Sequence, residues 1–185
     1  MDSGIISFAP LFAHIKQNPE IPHKKEPTFL PFKEIYSKLA DSVPNIPGWY
    51  VWVQIDGPNK SIIYIGQSQT RKTSSLQARI REEFLDEFVA LWATIHGSKV
   101  VSILDSKYNN KYTKEIARAA RKSGATHLIW FGKSGLSDIE LDAVEHNLIS
   151  NFNPTANKRS SGFKVPFPEL FKDASTTLET KLSEL

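Results

Sequence analysis

The sequence predicts an α+β fold, in which a small sheet is flanked by helices. Two β-branched and aromatic runs, residues 48–55 and 61–66, are separated by Asp-Gly-Pro-Asn, a pattern typical of a β-hairpin. Stretches with apolar residues at helical spacing follow the hairpin, and a further strand pattern interrupts them. Both faces of the hairpin are apolar, so we expect helices to cover both.

The composition favours one globular domain with extensions. The chain has 185 residues, of which 40% are hydrophobic and 23% charged, and its net charge is +3. The absence of cysteine excludes disulfides and thiolate zinc sites. The N-terminal residues lack the basic start and long apolar core of a signal peptide, and no stretch is apolar for long enough to span a bilayer. We therefore expect a cytoplasmic protein with no membrane partner.

Three regions are expected along the chain. Residues 1–47 are rich in proline and form an arm that packs on the core, with a short helix over residues 31–39. Residues 48–158 form the central domain. Residues 159–185 form a polar tail whose last stretch is a loose helix.

Within the central domain the helices carry their own start and stop signals. Ser75 caps a single helix that extends to about residue 95, and residues 112–122 form another helix that Gly124 stops. Residues 99–104 are ambiguous between a strand and a helical turn, and residues 126–131 form a strand. Ser137 opens a helix over residues 137–152, where Glu140 completes a capping box.

Glu145 is the most informative single residue. It falls inside the apolar stripe of its helix, between Leu141 and Ile149. A carboxylate on a buried face is costly unless it is paired or binds a metal. One reading is a buried ion pair with an arginine or lysine. The other is a ligand for a hard divalent cation, which accepts one carboxylate and keeps several waters.

Five sequence elements together resemble the GIY-YIG nuclease superfamily. They are Gly48-Trp49-Tyr50, Tyr64-Ile65-Gly66, Leu76-Gln77-Ala78-Arg79, Glu145 and Asn153-Pro154-x-x-Asn157. The resemblance covers roughly residues 48–158. It implies a central sheet of three antiparallel strands and an endonuclease that hydrolyses DNA phosphodiester bonds with a divalent metal, Mg²⁺ first and Mn²⁺ as an alternative. A chain of this length resembles a restriction or phage-defence enzyme more than a repair subunit.

The resemblance also implies roles for individual residues. Tyr64 would activate the attacking water, and Tyr50 would orient the reacting groups or relay a proton. Arg79 would contact the phosphate, with Arg81 as its alternate because Arg81 lies nearer the middle of the apolar stripe. Glu145 would hold the metal, and Asn157 would hydrogen-bond across the site to hold a catalytic group.

One departure from the family pattern affects the catalytic prediction. The family often has histidine or tyrosine one turn after the arginine, and this chain has Glu83. That substitution favours a second hypothesis, a nucleic-acid-binding module with the nuclease fold and no turnover. A third hypothesis is an interaction protein whose aromatic hairpin is the binding face.

Basic residues in two loops and two helices predict where DNA would bind. Those in residues 111–122 project onto a single side of one helix, which is equally typical of a solvated surface. A homodimer is one route to cutting both strands, and no small-molecule cofactor is expected. The predicted nucleic-acid contacts are Arg71, Lys72, Arg81, Lys111, Lys114, Arg118, Arg121, Lys122 and Lys158.

Overall fold

The computed structural model describes residues 1–68, 75–97, 99, 111–157 and 166–185. These residues form an antiparallel sheet of four strands, β1 (Asp2–Ser7), β2 (Gly48–Asp56), β3 (Asn59–Gln67) and β4 (His127–Gly132), in the order β1-β4-β2-β3. The α+β class is therefore confirmed, whereas the predicted count of three strands is wrong. The extra strand, β1, comes from the proline-rich arm. Its apolar run is too short to signal a strand, and pairing with β4 defines it.

The hairpin of β2 and β3 places alternate residues on opposite faces of the sheet. Tyr50 lies opposite Gly66, and Trp52 lies opposite Tyr64. Gly57 adopts a positive φ of 56° at the turn, which glycine tolerates without strain. Since side chains alternate along a strand, the two tyrosines share a face with Trp52.

Among the described residues, five helices lie on the side of the sheet that carries the tyrosines. They are α1 (Ala9–Gln17), α2 (Leu30–Asp41), α3 (Leu76–Asp86), α4 (Phe88–His96) and α5 (Thr113–Lys122), with a 3₁₀ turn at Pro27–Phe29. The helices predicted over residues 31–39 and 112–122 are confirmed as α2 and α5. The segment 99–104 lies outside the described residues apart from residue 99.

The single helix predicted over residues 75–95 is wrong, because the chain breaks at Glu87 into α3 and α4. Each half buries its apolar stripe against different partners. Helix α3 packs on α2 and β2, whereas α4 packs on α1 and α5. Periodicity continues across the break, so sequence alone does not reveal it.

Two helices cover the other face, α6 (Asp138–Phe152) and α7 (Pro168–Glu184). Ser137 and Glu140 form the predicted capping box at the start of α6. The tail predicted as a loose helix is instead the packed helix α7, which buries Leu170, Ala174 and Leu178 against α6 and the sheet. Helices thus cover both faces, as predicted. Among the described helices, none has the length and apolar character that crossing a membrane requires.

Candidate active site

The two tyrosines meet on one face of the β2–β3 hairpin. Their ring centroids are 6.2 Å apart, and Tyr50 is only 1% exposed. The motif glycine Gly66 leaves the space that the Tyr50 hydroxyl occupies, since a Cβ there would overlap the phenol oxygen. Only a residue without a Cβ fits opposite Tyr50, so packing alone requires the glycine of the motif.

Helix α3 brings Arg79 to the tyrosines. The Ser75 hydroxyl accepts a hydrogen bond from the Ala78 amide at 3.3 Å and caps the helix, so Arg79 lies within its first turn. The Arg79 Nε donates to the Tyr50 hydroxyl at 3.2 Å. Arg81, the alternate, points elsewhere and forms an ion pair with Asp41 of α2. Of the two arginines, Arg79 is the one in the tyrosine cluster.

Arg79 and the two tyrosines form one cluster. Tyr50 accepts a hydrogen bond from Arg79, and its ring lies beside that of Tyr64. Burial, followed by the charges of Glu83 and Glu145, raises the pKa of Tyr64 above its usual value, whereas the charge of Arg79 acts to lower it. The site as it stands therefore favours the neutral phenol of Tyr64.

Glu145 projects from α6 toward the end of β3, where it meets a residue absent from the sequence predictions. Its Oε2 accepts a hydrogen bond from the Gln67 amide at 3.1 Å, and the same amide donates to Asp142. Desolvation raises the pKa of Glu145 to about 7, and the Asp142 carboxylate adds to the rise. Among the described residues Glu145 has no ion pair of the kind considered as the alternative reading. Gln67 follows Tyr-Ile-Gly directly, but a glutamine there carries no distinctive signal.

The residues around Glu145 fit a hard divalent cation. Two carboxylates, Glu145 and Asp142, are joined by one amide, and the buried Oε1 of Gln67 has no hydrogen-bond partner among the described residues. Carboxylate and amide oxygens suit Mg²⁺, which is commonly bound by one or two carboxylates and water. The described part of the chain contains no cluster of three or more acidic, histidine or cysteine ligands, so a cation here would keep much of its hydration.

Asn157 holds the strand that carries Tyr64. Its Oδ1 accepts from the Ile65 amide at 2.9 Å, and its Nδ2 donates to the Ile65 carbonyl at 2.8 Å. The neighbouring Ala156 amide donates to the Ile63 carbonyl at 2.8 Å. Together these bonds satisfy the free edge of β3 between Tyr64 and Gly66. Asn157 thus acts on the backbone of the motif and does not contact the other site side chains.

Glu83, at the position that departs from the family pattern, belongs to a buried ionic cluster. It is 2% exposed and pairs with Arg79 on one side and with Lys122 on the other, at 2.8 Å. Lys122 also pairs with Glu87 at 3.1 Å and lies over the Tyr64 ring, 3.8 Å from its centroid. The prediction that Lys122 lies on the exposed basic side of its helix is wrong. Glu83 and Glu87 draw its ammonium inward, and the residue is 6% exposed.

The other predicted DNA contacts separate into three groups. Arg118 and Arg121 of α5 line a small cleft next to Tyr64 and Arg79. Lys111, just before α5, and Lys114, in its first turn, are exposed. Three predicted contacts lie outside the described residues: Arg71, Lys72 and Lys158.

The raised pKa of Glu145 predicts that stability without metal falls as pH rises. The folded state binds the Glu145 proton more tightly than the unfolded chain does. The contribution of this proton to the free energy of unfolding is therefore complete below about pH 4.5 and is lost as pH passes 7. The loss is on the order of 3 kcal/mol at about 1.36 kcal/mol per pKa unit. Urea unfolding in chelator at pH 5 and pH 8 measures it. We expect Glu145→Gln to remove this part of the pH dependence, and an identical pH profile in the variant would contradict the assignment.

No protein-family model, curated protein or solved structure matches this chain.

Proposed function

We propose that this protein is a metal-dependent endonuclease that hydrolyses phosphodiester bonds in DNA, with a role of the restriction or phage-defence type. One observation carries the proposal. Residues far apart in the chain converge at one end of the hairpin, where Arg79 donates a hydrogen bond to Tyr50, the Tyr50 and Tyr64 rings lie side by side, and Glu145 is close enough to shift the pKa of Tyr64. A structural aromatic cluster does not require a half-buried arginine and a half-buried carboxylate beside it.

The chain's own residues supply three of the requirements of phosphodiester hydrolysis. Arg79 keeps its Nε on Tyr50, and its Nη1, which pairs with the exposed Glu82 at 3.3 Å, can exchange that partner for a non-bridging phosphate oxygen. Tyr64, once its own phenolic proton has passed to solvent, would accept the proton of the attacking water, with Tyr50 beside it to orient it. Asn157 keeps the backbone beside Tyr64 in place.

Glu145, with Asp142 and Gln67 beside it, would hold the divalent cation. When bound, Mg²⁺ or Mn²⁺ supplies positive charge that stabilises the transition state and the leaving oxygen. Neutralising Glu145 also removes one of the charges that raise the pKa of Tyr64. The charge of Glu145 and the pKa of the Tyr64 phenol would thus be coupled.

Plasmid cleavage tests the proposal directly. Supercoiled plasmid incubated with the protein and magnesium should become nicked or linear, and chelator should prevent it. Tyr64→Phe removes the acceptor oxygen and should slow cleavage by roughly 10²–10⁴-fold, the range for a general base. Tyr36→Phe is the matched control, since Tyr36 is a buried phenol on α2 outside the site. Equal cleavage by the two variants would overturn the role of Tyr64, and cleavage by neither variant nor wild type would overturn the nuclease.

The alternative, a nucleic-acid-binding module without turnover, is favoured by the buried cluster around Glu83. That carboxylate engages Arg79, so part of the guanidinium is occupied before any phosphate arrives. A module of this kind would retain salt-sensitive DNA binding with no cleavage of plasmid, single-stranded DNA or RNA. The same plasmid assay, run beside a binding measurement, separates the two functions.

A further inference from the structure

A small cleft opens beside Tyr64, between the hairpin and helices α3 and α5. Its volume is about 160 Å³, below the roughly 300–1,000 Å³ of pockets that take a whole drug-sized ligand. The space suits a single compact group. Six charged side chains line it, namely Arg79, Arg118, Arg121, Lys122, Glu83 and Glu87.

The charges of this cleft favour an anion. Four cations face two carboxylates, and both carboxylates are paired with Lys122 at its floor. Arg121 is exposed and donates only its Nε, to the Ala117 carbonyl at 3.3 Å, so both terminal nitrogens lack a partner among the described residues. Arg118 is half-exposed and lies 3.7 Å from Glu87 through its Nε. Its Nη1 pairs with Asp86 at 3.2 Å, an ion pair that solvent reaches and that a phosphate can replace.

We propose that this cleft binds one backbone phosphate of the DNA strand, next to the phosphate that would be cleaved at Tyr64, with Arg118 and Arg121 as its ligands. The inference rests on the proposed function, because it takes the substrate to be a nucleic acid. It adds a direction for the strand, from the acidic site at Glu145 past Tyr64 to helix α5. It also distinguishes Arg118 and Arg121, which would bind this phosphate, from Lys111 and Lys114, which lie outside the cleft.

Binding without turnover tests this subsite independently of catalysis. Full-length protein in chelator is titrated into a fluorescent DNA duplex at several salt concentrations. We expect Arg118→Ala and Arg121→Ala each to weaken binding by roughly 5–10-fold and to do so about equally for duplexes of different sequence, as the loss of a phosphate contact predicts. Each should also reduce the slope of log K against log salt by about 0.9. Lys172→Ala, an exposed cation on α7, is the control for net charge.

Arg121 keeps the test valid even if Arg118→Ala destabilises the fold, because the Arg121 side chain has no ion pair among the described residues. Both arginine variants behaving like Lys172→Ala would overturn the subsite, as would a wild-type protein that does not bind DNA. DNA binding that depends on both arginines, in a protein that does not cleave plasmid, would support the subsite and reject the nuclease. In an active enzyme the variants should raise KM more than they lower kcat.

Discussion

Replacing Glu145 by glutamine is expected to lower magnesium-dependent DNA cleavage by roughly 10³-fold or more, because it removes the charge that holds the cation and with it the electrostatic stabilisation of the transition state. The substitution is close to isosteric. The new amide oxygen can still accept the hydrogen bond that Gln67 now donates to Glu145 at 3.1 Å. A loss of activity would therefore report the loss of charge and not a collapse of the helix. Single-turnover cleavage of a labelled duplex measures the rate.

Two controls make this result specific. Glu34→Gln removes one exposed carboxylate of α2 and should leave the rate unchanged. DNA affinity in chelator should be retained in Glu145→Gln, since the variant carries one negative charge fewer near the phosphates. Cleavage at the wild-type rate would exclude Glu145 as the metal ligand. Residual cleavage that no longer responds to magnesium is the pattern expected when the ligand is lost.

The sequence predicted the shared face of the two tyrosines because its signals are local. Tyr50 and Tyr64 lie on a hairpin marked by alternation and a turn, and alternation alone places both phenols on one face. Ser137 and Glu140 marked the start of α6 and so fixed which side of that helix carries Glu145. The helical period places Glu145 toward the core, and the structure adds that it does so beside Gln67.

What the sequence did not reveal depends on contacts between distant segments. Strand β1 is defined by its pairing with β4, about 120 residues later, and a run of six residues carries little signal alone. The choice between Arg79 and Arg81 depends on Asp41, which attracts Arg81 away from the tyrosines. Helical projection grouped Lys122 with the exposed cations of its helix. A projection of one helix carries no information about its partners, here Glu83 on α3 and Glu87 at the break between α3 and α4.

Replacing Lys122 by methionine is expected to destabilise the fold by roughly 3–5 kcal/mol, the usual result of removing one partner of a buried ion pair. Lys122 is 6% exposed and neutralises Glu83 and Glu87, which are themselves almost fully buried. Without it two carboxylates lie close together in a site that water barely reaches. Urea unfolding at neutral pH measures the loss. The deficit should shrink in acid, where protonation removes both charges.

A triple variant tests whether the loss is electrostatic. Adding Glu83→Gln and Glu87→Gln to Lys122→Met leaves no buried charge uncompensated, and stability should return to near the wild-type value. Failure to recover would mean that Lys122 acts through its packing on the Trp52 and Tyr64 rings. Lys114→Met, on the exposed side of the same helix, should change stability by less than about 0.5 kcal/mol.

The restored triple variant also decides what Glu83 does for the site. Glu83 pairs with the guanidinium of Arg79, which donates a hydrogen bond to Tyr50, so the ionic cluster contacts the tyrosines through Arg79 as well as through Lys122. If the variant is stable and cleaves DNA faster, Glu83 restrains Arg79 and the chain is an enzyme with a partly occupied arginine. If it is stable and cleaves more slowly, Glu83 orients Arg79 toward the phosphate. Because the fold is restored in both cases, a change in rate reports the changed charges around Arg79 and Tyr64 and not the stability of the protein.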